Sequence, residues 1–427
     1  MVDDFISNKS NKHKFLTPDA RPEVSTEKPF HTPDEVANTE LDSQALNRAV
    51  PSKNPIPPKG KITILKKLRN RWNRLSKKQK IIVSTVAVII VLVAAAGITY
   101  ALTRHHSPAP LKKATITVTT PPKPTTIPST LTGLLVDPSV NKRTVTGVMI
   151  ENSLGARPQS GLDQAGVVFE AVAEGGVTRF LALYQDTQPA YIGPVRSARP
   201  YYIQWDLGFD AAYAHVGGSP DGLSDIKSFG VKDLDEFANG GSYERIASRA
   251  APHNVYTSIA QLNALEISKG FGTSQFIGFP RKSDSPAKSP TVSSIDLSPS
   301  GPDYAVHYTY NPAGNNYLRS EGGQPHMEIA QSGQQVQITP KVVIAIVVPE
   351  SQGALDASGA YYSEYAAIGS GSAYIFQDGV VTTGTWQKTS NTTQIKFINA
   401  SSQPITLNAG QTWITVLNNA SSVSYKP

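Results

Sequence analysis

The chain has 427 residues, 40 Lys and Arg against 33 Asp and Glu, and no cysteine. That length allows two or three domains with real cores, and the missing cysteine excludes disulfide scaffolds, zinc–thiolate sites, iron–sulfur clusters, thiol nucleophiles and a lipidated N-terminal cysteine. With 32 Gly and 32 Pro, neither a collagen-like nor a wholly disordered chain fits.

The net charge of +7 suggests nucleic acid only until it is counted by segment. Residues 1–102 hold 17 basic and 9 acidic side chains, whereas residues 103–427 hold 23 and 24, so the excess lies entirely in the N-terminal segment. No nucleic-acid partner is therefore expected. Residues 1–60 are polar, carry scattered proline and show no sustained apolar period, which predicts a disordered tail. Lys61–Lys80 then brings nine basic residues and no acidic one, directly before the 22 uncharged residues Ile81–Leu102. About 20 helical residues cross a bilayer core, and Lys and Arg collect on the cytoplasmic side. The expectation is a single-pass plasma-membrane helix over 81–102, with the N-terminus cytoplasmic and the C-terminal domains extracellular. A signal peptide would be shorter and nearer the N-terminus. The basic stretch 61–80 suits anionic lipid, with Leu68 and Trp72 at the interface. Beyond the helix, 103–130 reads as an extended stalk, because Ser107–Thr130 alone carries six Pro and seven Thr.

From about Leu131 the pattern becomes globular. Runs such as GVVFEAVA, VTRFLALY and AAYAHV alternate with helical stretches, including DGLSDIKSFG and SIAQLNALEISKG. This predicts an α/β or α+β domain over 131–282. In the last of those stretches, Ser258 and Gln261 have capping-box spacing, and the helix is expected to stop before Gly270. A Pro- and Ser-rich linker over 283–299 leads into a mostly β domain over 300–427, expected to be a sandwich or barrel-like unit, with Asp378-Gly379 as one hairpin turn.

Five polar constellations stand out, four of them in the N-terminal domain. Gly175-Gly176 is suited to a two-residue hairpin turn. An unbroken register would pair Val172 with Arg179 and Glu170 with Leu181, placing Glu170, Glu174 and Arg179 on one face. Four strand residues span about 13 Å, too far for the two glutamates to act as a glycosidase pair. Either could serve as a lone acid or base, or as part of a surface ion cluster. In IGPVRSARPYY, Arg196 and Arg199 bracket Ser197 on a proline-stiffened loop that could clamp an anion bidentately or pair with the glutamates, and Pro200 can open a helix. In AHVGGSPDG a strand ends at His215, and Ser219 caps the next helix; the strand-end position suits a general acid or base, and equally a structural histidine. RAAPHNVYTS adds Arg249, His253 and Asn254. With only His215 and His253 in this domain, no metal or other cofactor is expected. Tyr317, Arg319 and His326 could form a second polar cluster in the C-terminal half.

Taken together, ARPQSGLDQAGVVFEAVAEGGVTRFLALYQ, IGPVRSARPYY, HVGGSP, APHNVYTS, NNYLRSEGGQPH, GSGSAYIFQDGVVTTGTW and LNAGQTWITV resemble the YerB-like family, a two-domain extracytoplasmic family of uncharacterised function. The resemblance covers roughly 131–427. It implies an outward-facing envelope protein; many relatives look like lipoproteins, whereas this chain has a membrane helix in place of a lipidated cysteine. The family supplies no catalytic residues. Three functions follow as expectations. The first is binding of a polar or anionic envelope component, a cell-wall constituent or a protein partner, with Arg157, Arg196 and Arg199 as anion contacts and Glu170, Arg179, Ser197, Ser219, His253 and Asn254 as further ligand-binding residues. The second is an envelope hydrolase using Glu174 or His215 as its catalytic acid–base. The third is a structural scaffold.

Overall fold

The computed structural model describes residues 69–103 and 125–427. The tail expected over 1–60, the first part of the basic segment and most of the stalk lie outside the described residues. The chain divides into two compact units, residues 1–116 and 117–427.

The first unit contains one long helix, α1 (Lys77–Thr103). Ser76 and Gln79 form a reciprocal cap at its start: the Gln79 N–H donates to Ser76 Oγ (3.4 Å), and the Ser76 N–H donates to Gln79 Oε1 (3.0 Å). Residues 77–100 are long and apolar enough to cross a bilayer. An exposed apolar helix of this length is consistent with membrane association.

The second unit is mostly sheet. Its strands are β1 (Thr146–Glu151), β2 (Val167–Glu174), β3 (Val177–Tyr184), β4 (Ala212–Ala214), β5 (Lys232–Asp233), β6 (Ser294–Leu297), β7 (Val306–Asn311) and β8 (Asn316–Glu321). They continue as β9 (Val342–Val347), β10 (Glu350–Leu355), β11 (Tyr361–Tyr365), β12 (Gly369–Gln377), β13 (Val380–Lys388), β14 (Lys396–Ile398), β15 (Thr412–Leu417) and β16 (Val423–Lys426). Three helices join them: α2 (Pro200–Leu207), α3 (Pro220–Ser228) and α4 (Ile259–Ser268).

One large sheet runs β14-β13-β12-β9-β15-β2-β3-β1-β4-β5, so strands from both halves share it. The seam is the parallel pairing of β15 with β2, from Thr412 opposite Val167 to Thr415 opposite Glu170. The C-terminal half therefore does not close into a separate sandwich or barrel; seven of its strands, β9 to β15, belong to the same sheet as the N-terminal strands, with β10 and β11 joined to it where Tyr362 lies opposite Glu174. A second sheet, in the order Gln324–Pro325, β8, β7, β6, β16, packs on the first through Ile295, Leu297, Tyr308 and Tyr317 against Val343, Ala345 and Phe376. Strand β2 is central and covered on both faces, which is why VVFEAVA is an almost continuous apolar run. On one face Phe169 stacks on Trp205 of α2 at 5.2 Å. On the other, Trp413 meets Phe180 edge-on at 5.3 Å.

Local signals fold as their chemistry requires. Gly175 (φ 55°) and Gly176 (φ 81°) make the β2–β3 turn with both central residues at positive φ. Asp378-Gly379 does the same between β12 and β13. Pro200 opens α2, and α4 begins after Ser258, whose Oγ accepts from the Gln261 N–H. One expectation fails. An extra residue, Ala173, bulges from β2, so Arg179 lies opposite Ala171 and Glu170 opposite Phe180. The bulge flips alternation by one, and Glu170 and Glu174 face opposite sides of the sheet.

Candidate functional site

The polar residues picked out by sequence separate into four groups. On the α2 side of the sheet, both oxygens of Glu174 are taken, one by Arg179 and the other by Arg199. Arg179 also donates to the Ser197 carbonyl (3.0 Å), and Arg199 lies over the Tyr362 ring at 4.7 Å. Burial, with Arg199 beside it, pushes the Arg179 guanidinium down to about 10. Ser197 thus contributes its backbone, and Arg199 is committed to an internal pair.

At the end of β1, Glu151 gathers His253 (Nδ1 to Oε2, 2.9 Å), Arg196 (3.4 Å) and the Ser153 hydroxyl (2.8 Å). Asn254 lies apart from this group, accepting from Arg245 at 3.4 Å in an exposed position.

His215 sits just beyond β4, as its sequence position implied, but its ring turns inward. It is fully buried, with Nδ1 2.8 Å from the Gly217 carbonyl and Nε2 3.0 Å from Asp233 Oδ1. Ser219 is the α3 cap, accepting from the Gly222 N–H at 3.2 Å. Gly217 has φ 57°, and a Cβ there would lie 2.7 Å from the Phe237 ring, so this turn requires glycine. These residues hold the strand–turn–helix connection together.

The fourth group lies where the two sheets meet. Inward-facing positions of β8 alternate as Tyr317, Arg319 and Glu321. Tyr317 packs into the apolar core and accepts from the Gly379 N–H. Arg319 is fully buried and uses each of its nitrogens: Nε donates to His326 Nδ1 (2.8 Å), Nη1 to the Tyr308 hydroxyl (3.0 Å), and Nη2 to Glu170 (2.9 Å) and Glu321 (3.3 Å). Its Cζ lies 4.6 Å from the Trp413 ring centroid. Glu170 receives two further donors, Trp413 Nε1 (3.2 Å) and the Thr415 hydroxyl (3.3 Å). Accepting at Nδ1, His326 carries its ring proton on Nε2, towards Gln159 Oε1 at 3.2 Å. Burial and the neighbouring Arg319 push its pKa well down, so the ring is neutral.

This network reaches solvent through one cavity. Leu154, Arg157, Pro158, Asp303, Glu321, Gln324, Pro325, His326, Met327 and Gln335 are among the residues enclosing ≈ 340 Å³. Arg157 enters from the β1–β2 connection, held by Nε on Asn152 (3.1 Å) and Nη1 on the Asp303 carbonyl (3.1 Å). Its Nη2 lies 3.3 Å from Glu321 Oε2, yet neither atom has an aligned hydrogen bond. Glu321 Oε1, by contrast, accepts from Asn152 Nδ2 at 2.7 Å. Burial outweighs the adjacent arginines and raises the Glu321 carboxyl to about 7. Neither Glu174, Arg199 nor His215 lines this cavity. Of the residues singled out by sequence, the cavity and the network behind it unite Arg157, Glu170, Arg319 and His326. Sequence reasoning missed Glu321, Asn152 and Gln159; alternation along NYLRSE, with Arg319 inward, would have placed Glu321 beside it.

Residues 131–272 match the N-terminal domain, and residues 295–414 the C-terminal domain, of the family described as protein of unknown function (DUF3048). YerB from Bacillus subtilis (strain 168), provisionally described as a lipoprotein, is 34% identical over 197 residues, a stretch covering 45% of this chain and 60% of that protein. The crystal structure of the Bacillus subtilis YerB protein superposes with a TM-score of 0.62 at 27% identity, covering 70% of this chain and 100% of the other. Both family segments are present in order, and they are the two halves joined by the β15–β2 seam. The chain belongs to this DUF3048, or YerB-like, family of unknown function.

Proposed function

We propose that the protein is anchored in the plasma membrane by α1, with the basic flank cytoplasmic and the sheet unit outside, and that the sheet unit binds a polar or anionic component of the cell envelope in the Arg157–Glu321 cavity. Six basic residues between Arg69 and Lys80 precede the apolar span, and no charge follows within it, which supports that orientation. The lipoprotein description of YerB fits a protein held at a membrane surface. One observation carries the binding reading: a buried carboxyl oxygen of Glu321 and a buried nitrogen of Arg157, 3.3 Å apart and neither with an aligned hydrogen bond, belong to two residues that line one cavity. Buried groups left without hydrogen bonds are what a polar ligand can satisfy. Arg199, by comparison, donates to Glu174, and Arg196 lies outside the cavity wall, 3.4 Å from Glu151.

The test is retention of the full chain, in detergent, on purified cell wall. Arg157→Ala should abolish most of the retention, whereas Arg196→Ala should leave it. Equal retention of both variants would overturn the assignment. A hydrolytic reading rests on Glu321 in place of Glu174 or His215, because Glu321 has a carboxyl raised to about 7 and a place in the cavity wall, which neither of the other two lines. New products from wall fragments, lost in Glu321→Gln, would favour it.

A further inference from the structure

Given that the cavity is the binding site, we infer that it takes its ligand by an oxyanion, a carboxylate or phosphate group whose oxygens bridge Nη2 of Arg157 and Oε2 of Glu321, with a proton held on Glu321 in the complex. The two oxygens of Glu321 are not equivalent. Oε1 accepts from Asn152 (2.7 Å) and Arg319 (3.3 Å), whereas Oε2 accepts from nothing. A carboxyl satisfied at one oxygen carries its proton on the other. Oε2–H and Arg157 Nη2–H are then adjacent donors 3.3 Å apart, a spacing that two oxygens of one anionic group can bridge. Glu321 is 4% exposed, so its alignment is fixed by the sheet and not by solvent.

The surrounding charge agrees. From behind, Arg319 and Glu170 face Glu321; from β8's following turn His326 lies 3.7 Å away, neutral; from the β1–β2 connection comes Arg157; and before β7 stand Tyr304 and Asp303. With Glu321 protonated, the two arginines exceed the one buried carboxylate, leaving a net positive site. Asp303 is the opposing charge, but its side chain is exposed at the rim and screened by water. Leu154, Pro158, Pro325 and Met327 provide an apolar wall for the carbon skeleton beside the anionic group. Because burial sets the Glu321 carboxyl near 7, raising the pH through neutrality replaces a donor with a second negative charge, and oxyanion affinity should fall by roughly tenfold per pH unit above that point.

Calorimetry on the full chain in detergent tests this with three probes: N-acetyl-alanyl-alanine, its C-terminal amide, and dimethyl phosphate, which stays a monoanion throughout the range. At least one anion should bind at pH 6 and weaken steeply from pH 7 to pH 9, with the amide roughly tenfold or more weaker than the free acid. Preference for the peptide acid or the phosphodiester identifies a peptide terminus or a phosphate polymer as the source. Arg157→Ala should remove binding. Glu321→Gln should keep binding but flatten its pH dependence, since a side-chain amide N–H replaces the O–H donor. Equal binding of acid and amide, affinity that rises with pH, or no binding of either anion at pH 6 would each overturn the inference. If wall retention still fell with Arg157→Ala in that last case, the cavity would remain the binding site and only the oxyanion assignment would be lost.

Discussion

Glu170 and Glu174 lie four residues apart on one strand, and each meets arginine, yet the two clusters are built for different ends. Around Glu174, two arginines use both carboxylate oxygens, and the group is closed by the Ser197 carbonyl and the Tyr362 ring. Around Glu170, one arginine is shared between two carboxylates, and the second of these, Glu321, ends at a cavity with an oxygen to spare. A carboxylate with both oxygens bound fixes structure, whereas one with an oxygen free of hydrogen bonds in a cavity wall has capacity for a ligand. The single-residue bulge at Ala173 is what separates them, by sending the two glutamates to opposite faces.

The comparison is broken most severely by Arg319→Met. Arg319 is, among the described residues, the cation paired with Glu170, and both are fully buried where the two sheets meet. Removing one partner of a buried pair strands the other charge, so the variant should lose about 3–5 kcal/mol, read as a fall in the urea midpoint of the sheet unit. A loss below about 1 kcal/mol would show that the network contributes little to joining the halves. Glu174→Gln is the matching change on the other face. It leaves Arg179 and Arg199 without a counter-charge, but Glu174 is 15% exposed, and water can relieve part of the cost. A loss of about 2–3 kcal/mol is expected, with wall retention unchanged. Loss of retention at full stability would instead assign function to this face.

How far these clusters could be read from sequence depends on the range of the signal. The capped helices, the Gly-Gly and Asp-Gly turns, and Pro200 at a helix start follow from backbone chemistry within a few residues, and each forms where expected. Strand faces were legible only while alternation ran unbroken. Ala173 carries no bulge signature, so the register of Arg179, and with it the partner of each glutamate, could not be derived. The β15–β2 pairing brings Thr415 beside Glu170 across some 245 residues, which no local pattern encodes. His215 shows the same limit at one residue: its place at a strand end was readable, but the direction of its ring was decided by Gly217 and Asp233.

The smallest expected effect, and the sharpest division between the clusters, is the pH dependence contributed by Glu321. Its folded-state pKa, about 7, lies above the 4.5 of an unfolded glutamate, so the folded chain holds this proton more tightly. The contribution to stability is fully present below pH 4.5 and is lost as pH rises through 7, where the buried carboxyl must ionise beside Glu170. Glu321→Gln removes that ionisation while leaving Arg319 its pair with Glu170. The variant should match the parent at pH 5 and exceed it by about 1 kcal/mol at pH 8.5, once the lost attraction to Arg157 is set against the relieved burial cost. Glu174→Gln should show no such crossover, being the weaker protein at both pH values. Urea midpoints of the two variants at the two pH values separate the clusters directly: a Glu321→Gln protein destabilised equally at both would mean that Glu321 is held as an ordinary ion-pair carboxylate, and that the proton assigned to Oε2 is not there.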